Sequence, residues 1–359
     1  MERSTSVIAE AGVNHNGDLG LAERLVAEAV AAGADVVKFQ TFRAADLATA
    51  VAPTSAYQRR NTGEVVAQIE MLKRLELSDE AHHHLSRLCD QAGIEFLSTP
   101  FDRRSADFLV SEVGIRRIKV SSGDLTNGPF LLALARFGLP IILSTGMATM
   151  GEVEEAVAVV AFARIAEAGA KPSRAAFAEA LGSAEGQAAV ASSVTLLHCT
   201  TEYPAPVDAV NLRAMDSLRV FGTPVGFSDH TEGWTVPIAA VARGASLIEK
   251  HFTLDRGLPG PDHRASLEPA ELKAMVDAIR TVEASLGSPV KAPQASERPN
   301  MAVARKSLVA RRPIAAGELF DADNLGAKRP GTGLTPMEWW SLIGRPASRA
   351  YAADEIITP

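Results

Sequence analysis

Cysteine is scarce in this sequence. Its 359 residues hold two, Cys89 and Cys199, and neither has a CxxC partner, which argues against a disulfide framework and a zinc knuckle. No apolar run approaches the roughly 18 residues that mark a membrane-spanning helix. The first apolar segment starts at residue 6, with no charged stretch and long apolar run before it, so a cytoplasmic protein is expected. Excess positive charge is missing too. A formal charge of -7 argues against a general nucleic-acid binder, since backbone affinity needs a concentrated basic surface, so any phosphate must be held by a local site. No Walker loop occurs and no GxGxxG follows a strand-like run, which leaves nucleotide and dinucleotide binding little support.

With 47% hydrophobic and 22% charged residues the chain has the balance of an ordinary globular protein, long enough for one large domain and a small one. Short apolar runs bounded by turn residues recur at 6–12, 35–41, 94–100, 116–122, 140–146, 194–200, 224–230 and 246–252. Each is rich in Val, Ile, Leu or Phe, as buried parallel strands are, and eight such strands close a barrel. Helical segments alternate with them, including 18–32 before Gly33 and 78–92 before Gly93, where glycine permits the left-handed stop. Residues 268–286, with Leu272, Met275, Val276, Ile279, Val282 and Leu286 at helical spacing, supply a closing helix. The fold class is therefore α/β, a (β/α)8 barrel over residues 1–286, with a doubly wound open sheet as the alternative. Residues 287–302, rich in Pro, Ser and charge, form a linker to a small β-like unit at 303–359, in which Trp339 and Trp340 serve as anchors. An Ala- and Glu-rich stretch at 165–192 looks like a helical surface insertion.

The chemistry lies where the strands end. Glu10, Lys38, Gln40, Thr99, Lys119, Ser122, Ser144, His198, Asp229, His230, Glu249 and His251 all fall at carboxyl ends, which a parallel barrel gathers on one rim. A buried lysine is costly without an anion, so Lys38 and Lys119, with the hydroxyls of Thr99, Ser122 and Ser144, suit a phosphate or carboxylate cradle better than a structural ion pair. His230 and His251 end adjacent strands and can share one divalent cation. Two ligands completed by water and substrate suit Mn or Mg better than a permanent zinc. The run His82, His83, His84 sits on a polar helix turn and is expected to be a solvated face.

At this point the chain resembles the sialic acid synthases. The resemblance is carried by AEAGVNHNGD (9–18), ADVVKFQT (34–41), FLSTPFD (96–102), KVSSGD (119–124), LSTGMA (143–148), LLHCTTEYP (196–204), GFSDHT (226–231), IEKHFTLD (248–255), LPGPDHRASLEP (258–269) and KRPGTG (328–333), in order over nearly the whole length. It implies condensation of phosphoenolpyruvate with an N-acylated hexosamine to a nine-carbon 2-keto acid. Glu10, Lys38 and Lys119 would be the catalytic set, with Lys38, Thr99, Lys119, Ser122 and Ser144 holding phosphoenolpyruvate. Gln40, Asn61, Tyr203, Asp262 and Arg329 would face the sugar, and His230 and His251 would hold Mn, or Mg or Co in its place. Asp124 and Thr201 stand at substrate-binding positions where some relatives carry Glu and Asn, which shifts contacts to sugar or phosphate. The tail resembles an antifreeze-like (SAF, β-clip) module. By the same resemblance it is exchanged within a homodimer, so that Arg329 reaches the other subunit's substrate.

The sugar is expected to be N-acetylmannosamine or 2,4-diacetamido-2,4,6-trideoxymannose, and AYQRRNTGE (56–64) and EMLKRLELS (70–78) resemble the legionaminate branch. Two rival readings remain. One is a Schiff-base pyruvate aldolase using Lys38, Lys119 or Lys250. The other is a non-catalytic carbohydrate- or ice-binding protein using the tail.

Overall fold

The computed structural model describes residues 5–64 and 66–358, in two compact units that divide after Gly287. In the first unit eight parallel strands alternate with helices: β1 (Ser6–Gly12), β2 (Val36–Thr41), β3 (Glu95–Pro100), β4 (Ile118–Val120), β5 (Ile141–Ser144), β6 (Val194–Cys199), β7 (Val225–Asp229) and β8 (Leu247–His251). The ladder runs β3-β2-β1-β8-β7-β6-β5-β4, and β3 lies alongside β4 where its ends meet. The first strand pairs with the last, Glu10 opposite His251, an arrangement that an open doubly wound sheet does not have. The chain is a (β/α)8 barrel followed by a small antiparallel unit.

Local chemistry sets the element boundaries. Asp18 accepts the Leu21 N–H to start the helix Leu19–Ala32, and Gly33, at φ 78°, stops it. Ser78 and Gly93 do the same for Asp79–Ala92. The closing helix Pro269–Leu286 buries Leu272, Met275, Val276 and Ile279, whereas Leu286 is exposed. The 165–192 stretch folds as two helices, Arg174–Gly182 and Ala184–Ser193, packed on Met150–Ile165 with Phe177 edge-on to Phe162 at 5.2 Å.

Inside the barrel, Ile8, Val36, Leu97, Ile142, Leu197 and Leu247 form one apolar layer. They come from six different strands and can meet only on the barrel axis. Gly226 completes this floor, because a Cβ there would collide with the Leu247 carbonyl and lie 2.7 Å from Leu197 Cδ2.

The second unit has its own core of Leu308, Ala310, Ile314, Phe320, Leu325 and Tyr351 around the antiparallel pair β9 (Ser307–Ala310) and β10 (Leu325–Lys328). Two expectations change here. Arg298–Ala304, within the stretch taken as linker, is helical, and its Ala302 carbonyl accepts the Gly331 N–H. Trp339 packs on the core, but Trp340 is 75% exposed and anchors nothing within this unit. Among the described residues no helix is long and apolar enough to cross a membrane.

Candidate active site

Strand alternation turns every second residue inward, so the positions above the apolar floor on each strand form the next layer. That layer is polar. Lys38 Nζ lies 2.6 Å from Glu10 Oε2, 3.0 Å from Thr99 Oγ1 and 3.7 Å from Glu249 Oε2. Lys119 Nζ lies 2.8 Å from Ser144 Oγ and 3.5 Å from Glu249 Oε1, while Ser228 donates to Glu249 at 2.8 Å. Glu10, Lys38, Lys119 and Glu249 are between 1% and 4% exposed, so two cations and two carboxylates share a space that water barely reaches.

Burial pushes the Glu10 carboxyl up to about 7, against the pull of Lys38. Burial alone would lower Lys38, but Glu10 and Glu249 hold it above the usual ammonium range. Burial also opposes ionisation of Glu249, but Lys119 and Lys38 outweigh it and keep that carboxylate charged. Lys119 is pulled down by burial, only partly offset by Glu249. An array that needs two internal carboxylates to balance its lysines is suited to exchange them for an incoming anion.

His230 and His251 sit just above, with ring centroids 5.6 Å apart. His230 Nδ1 donates to the Thr200 carbonyl at 2.6 Å, a bond that fixes the tautomer and leaves Nε2 as an acceptor in long contact, 3.5 Å, with the Ser228 hydroxyl, whose proton goes to Glu249. His251 Nδ1 is buried without a hydrogen-bond partner, 4.0 Å from Asp262 Oδ2. Burial pushes His230 down to about 4 and His251 well below the ordinary histidine value, so both rings are neutral near pH 7. Two neutral imidazoles and an orphaned ring nitrogen fit a divalent cation, since metal–nitrogen bonds of about 2.1 Å place two ligating rings roughly 5 Å apart. Among the described residues no cluster of three or more His, Cys, Asp or Glu is arranged as a metal site, so further ligands would come from water or substrate.

Tyr203, Asn61 and Asp262 lie around the two histidines. Tyr203 packs on His230 at 4.1 Å and edge-on to His251 at 5.5 Å, with Tyr57 against its other side at 5.0 Å. Asn61 Nδ2, near the end of the helix Ala56–Thr62, donates to the carbonyls of Pro261 at 2.7 Å and Tyr203 at 3.3 Å, tying that helix to two loops and leaving its Oδ1 for a ligand. Burial raises Asp262 to about 6. Gln40 Nε2 donates to Glu10 at 3.4 Å. Ser122 Oγ accepts the Gly146 N–H at 3.0 Å and lies 3.2 Å from Cys199 Sγ. A Cβ on Gly146 would collide with Thr201 Oγ1 and lie 2.8 Å from Ser122 Oγ, so only glycine lets these hydroxyls converge. Thr201 Oγ1 is buried and unpartnered. Asp124 turns back on its own loop, accepting from Ser121 at 2.8 Å and Asn127 at 3.3 Å. Arg329 belongs to the second unit, where its Nε donates to the Ala304 carbonyl at 3.0 Å.

Three strand-end or histidine assignments are corrected. His198 bonds the Val210 carbonyl at 2.6 Å, and Asp229 pairs with Lys250 at 2.6 Å. Both face the helices, because alternation sends neighbours of inward residues outward. His82 is not solvated. It is buried, with Nε2 2.8 Å from Thr41 Oγ1 and Nδ1 2.9 Å from the Ser78 carbonyl. Ser228 and Glu249 also belong to the polar layer, although no motif marks their role. Counting two residues back from His230 and His251 finds both.

The comparisons agree with this architecture. The NeuB family profile matches residues 25–291 and the SAF domain profile residues 305–359. The chain is 45% identical to the N,N'-diacetyllegionaminic acid synthase of Campylobacter jejuni, covering 99% of each. It is also 45% identical to that of Legionella pneumophila, covering 97% of this chain and 91% of the relative. A solved N-acetylneuraminic acid (sialic acid) synthetase from Leptospira borgpetersenii, in complex with citrate, superposes with a TM-score of 0.65 at 32% identity, covering 83% of this chain and 90% of that one. Matched by the family profile over most of its barrel and by these relatives over nearly all its length, the chain belongs to the NeuB family and carries a SAF domain at its carboxyl end.

Proposed function

We propose that this chain is a sialic-acid-type nonulosonate synthase. It condenses phosphoenolpyruvate with 2,4-diacetamido-2,4,6-trideoxymannose and water to N,N'-diacetyllegionaminate and phosphate, with N-acetylmannosamine as the alternative sugar. The observation that carries the reading is the buried array of Lys38, Lys119, Glu10 and Glu249 directly below two neutral imidazoles. The 45% identity to two legionaminic acid synthases, against 32% to the sialic acid synthetase, favours the diacetamido sugar.

Lys38 and Lys119 take the phosphate and carboxylate of phosphoenolpyruvate, with Thr99, Ser122 and Ser144 supplying hydroxyl donors. Gln40, Asn61, Tyr203 and Asp262 orient the sugar aldehyde toward the enol methylene. Asp124 and Thr201 stand beside these substrates. A divalent cation, Mn first with Mg or Co as alternatives, would be held by His230 and His251 and would polarise the aldehyde oxygen. Bond formation between the methylene carbon and the aldehyde carbon leaves positive charge at C2, which the Glu10 carboxylate faces. Water adds there and loses a proton, matching the one that the aldehyde oxygen gains as it becomes a hydroxyl. The carbon–oxygen bond to phosphate then breaks while the C2 hydroxyl proton passes to the departing phosphate, giving the 2-keto acid. With its carboxyl near 7, Glu10 exists in both protonation states at neutral pH and can relay the water proton at Oε1, the oxygen that Lys38 does not hold. A Schiff base would need a lysine free to attack. Lys38 is tied to Glu10, Lys119 to Ser144, and Lys250 to Asp229.

The same reading makes the protein a cytoplasmic homodimer with exchanged SAF modules, the partner subunit's Arg329 contacting the sugar. Its small core and exposed Trp340 support a module that docks elsewhere. Incubation with Mn, phosphoenolpyruvate and each hexosamine, followed by phosphate assay and product mass, tests the whole proposal. Absence of phosphate release and of a nine-carbon product with every sugar overturns it.

A further inference from the structure

A buried ion pair joins β7 to β8 immediately behind the two histidines. Asp229 directly precedes His230, and Lys250 directly precedes His251. Both face the helical layer at 0% exposure, with Lys250 Nζ 2.6 Å from Asp229 Oδ2. The carboxylate has further partners, for Oδ1 accepts the Thr231 N–H and Oδ2 the Thr231 hydroxyl, each at 3.0 Å. Lys250 also donates to the Thr231 carbonyl. The residues on both sides of His230 are thus clamped by the residue next to His251.

Desolvating an ammonium and a carboxylate is costly, and an apolar pair of similar volume would hold two strands together at least as well. An apolar pair could not grip the Thr231 backbone, however, and so could not fix the turn that presents His230. We propose that Asp229 and Lys250 are positioning residues that set the placement of His230 relative to His251, and through it the affinity of the site for a divalent cation. The proposal rests on the metal reading given above.

The test uses the full-length protein without substrates, titrated with Mn and read by the electron paramagnetic resonance of free Mn. The wild type comes first, and failure to bind Mn would overturn the metal reading and this proposal together. In the double variant Asp229→Leu/Lys250→Met both charges and both side-chain grips on Thr231 leave at once, so no unpaired charge stays buried. We expect it to fold, to bind phosphoenolpyruvate with unchanged affinity by calorimetry, and to lose roughly 10- to 100-fold in Mn affinity. Wild-type Mn affinity in the folded double variant refutes the positioning role while leaving the metal reading intact. An equal loss of phosphoenolpyruvate affinity also refutes it, because that would mark general loosening of the barrel. If the double variant does not fold, Thr231→Val decides: it keeps the ion pair but removes one anchor. Weaker Mn binding supports the clamp and unchanged binding overturns it.

Discussion

Replacing Lys38 by methionine separates two roles that its contacts combine. The ammonium balances Glu10 at 2.6 Å and Glu249 at 3.7 Å, and it is also assigned to the incoming anion. Breaking a buried pair from one side costs about 3–5 kcal/mol. The cost here is expected at or below the lower end, because Glu10, already near 7, can take a proton once its partner is gone. Loss of one charge-assisted contact to phosphoenolpyruvate is worth about 1.5–3 kcal/mol, or roughly 10- to 150-fold in affinity. Adding Glu10→Gln to Lys38→Met removes the orphaned charge. The double variant should then recover thermal stability without recovering affinity, measured by calorimetric titration with phosphoenolpyruvate in the absence of sugar. Recovery of both would refute the reasoning, since Lys38 would then matter only as the partner of Glu10.

His230→Ala and His251→Ala should each abolish condensation and weaken Mn binding while the circular dichroism spectrum stays unchanged, and full activity of either with added Mn would contradict the ligand assignment. Arg329→Ala should raise the KM for the sugar far more than that for phosphoenolpyruvate. On the proposed exchange of SAF modules, mixing it with His230→Ala under verified subunit exchange should restore activity, because a heterodimer would have one site free of both defects; mixtures that stay inactive would place Arg329 in its own subunit's site or outside catalysis. The fold should weaken in acid. Burial holds His15, His230 and His263 at about 4, below the unfolded value, so the stability they contribute is complete above about 6.5 and is lost as pH falls through 4. Glu10 runs the other way, its raised carboxyl contributing below the usual glutamate value and losing that contribution as pH rises through about 7. Asp262 and Asp124, also raised by burial, act with Glu10, but His82, His198 and His251 are lowered like the other three rings, so the histidines outnumber the carboxyls and the Tm by calorimetry should fall between pH 6.5 and 4; a Tm that rises on acidification would count against the buried neutral rings.

The barrel was legible because a strand buried on both faces announces itself as an apolar run, and because glycine marks the helix stops at Gly33 and Gly93. All eight runs became strands with ends within two residues of those expected, and one lost more of its length than the rest. That run, at 116–122, shrank to Ile118–Val120, since Arg117 is held by Glu95 and Ser122 lies in a 3-10 turn. The lysines and hydroxyls of the cleft were legible for a matching reason: a charge inside an apolar run has to find a partner. The errors came from treating a strand end as one location. Its two faces differ completely, and His198 and Asp229 lie on the face that meets the helices. His82 failed for want of a partner visible in sequence, because its hydrogen bonds run to Thr41 on another element as well as to its own helix start.

The apolar floor beneath the site makes it a blind-ended well. Lys119 bonds at the level of Glu249, two residues deeper along β8 than His251, a distance of about 7 Å. Whatever occupies the lower level has to arrive before the mouth is filled and depart after it empties. Steady-state kinetics are therefore expected to show a compulsory order, with the small anion entering first, the aldehyde second, and inorganic phosphate the last species to escape.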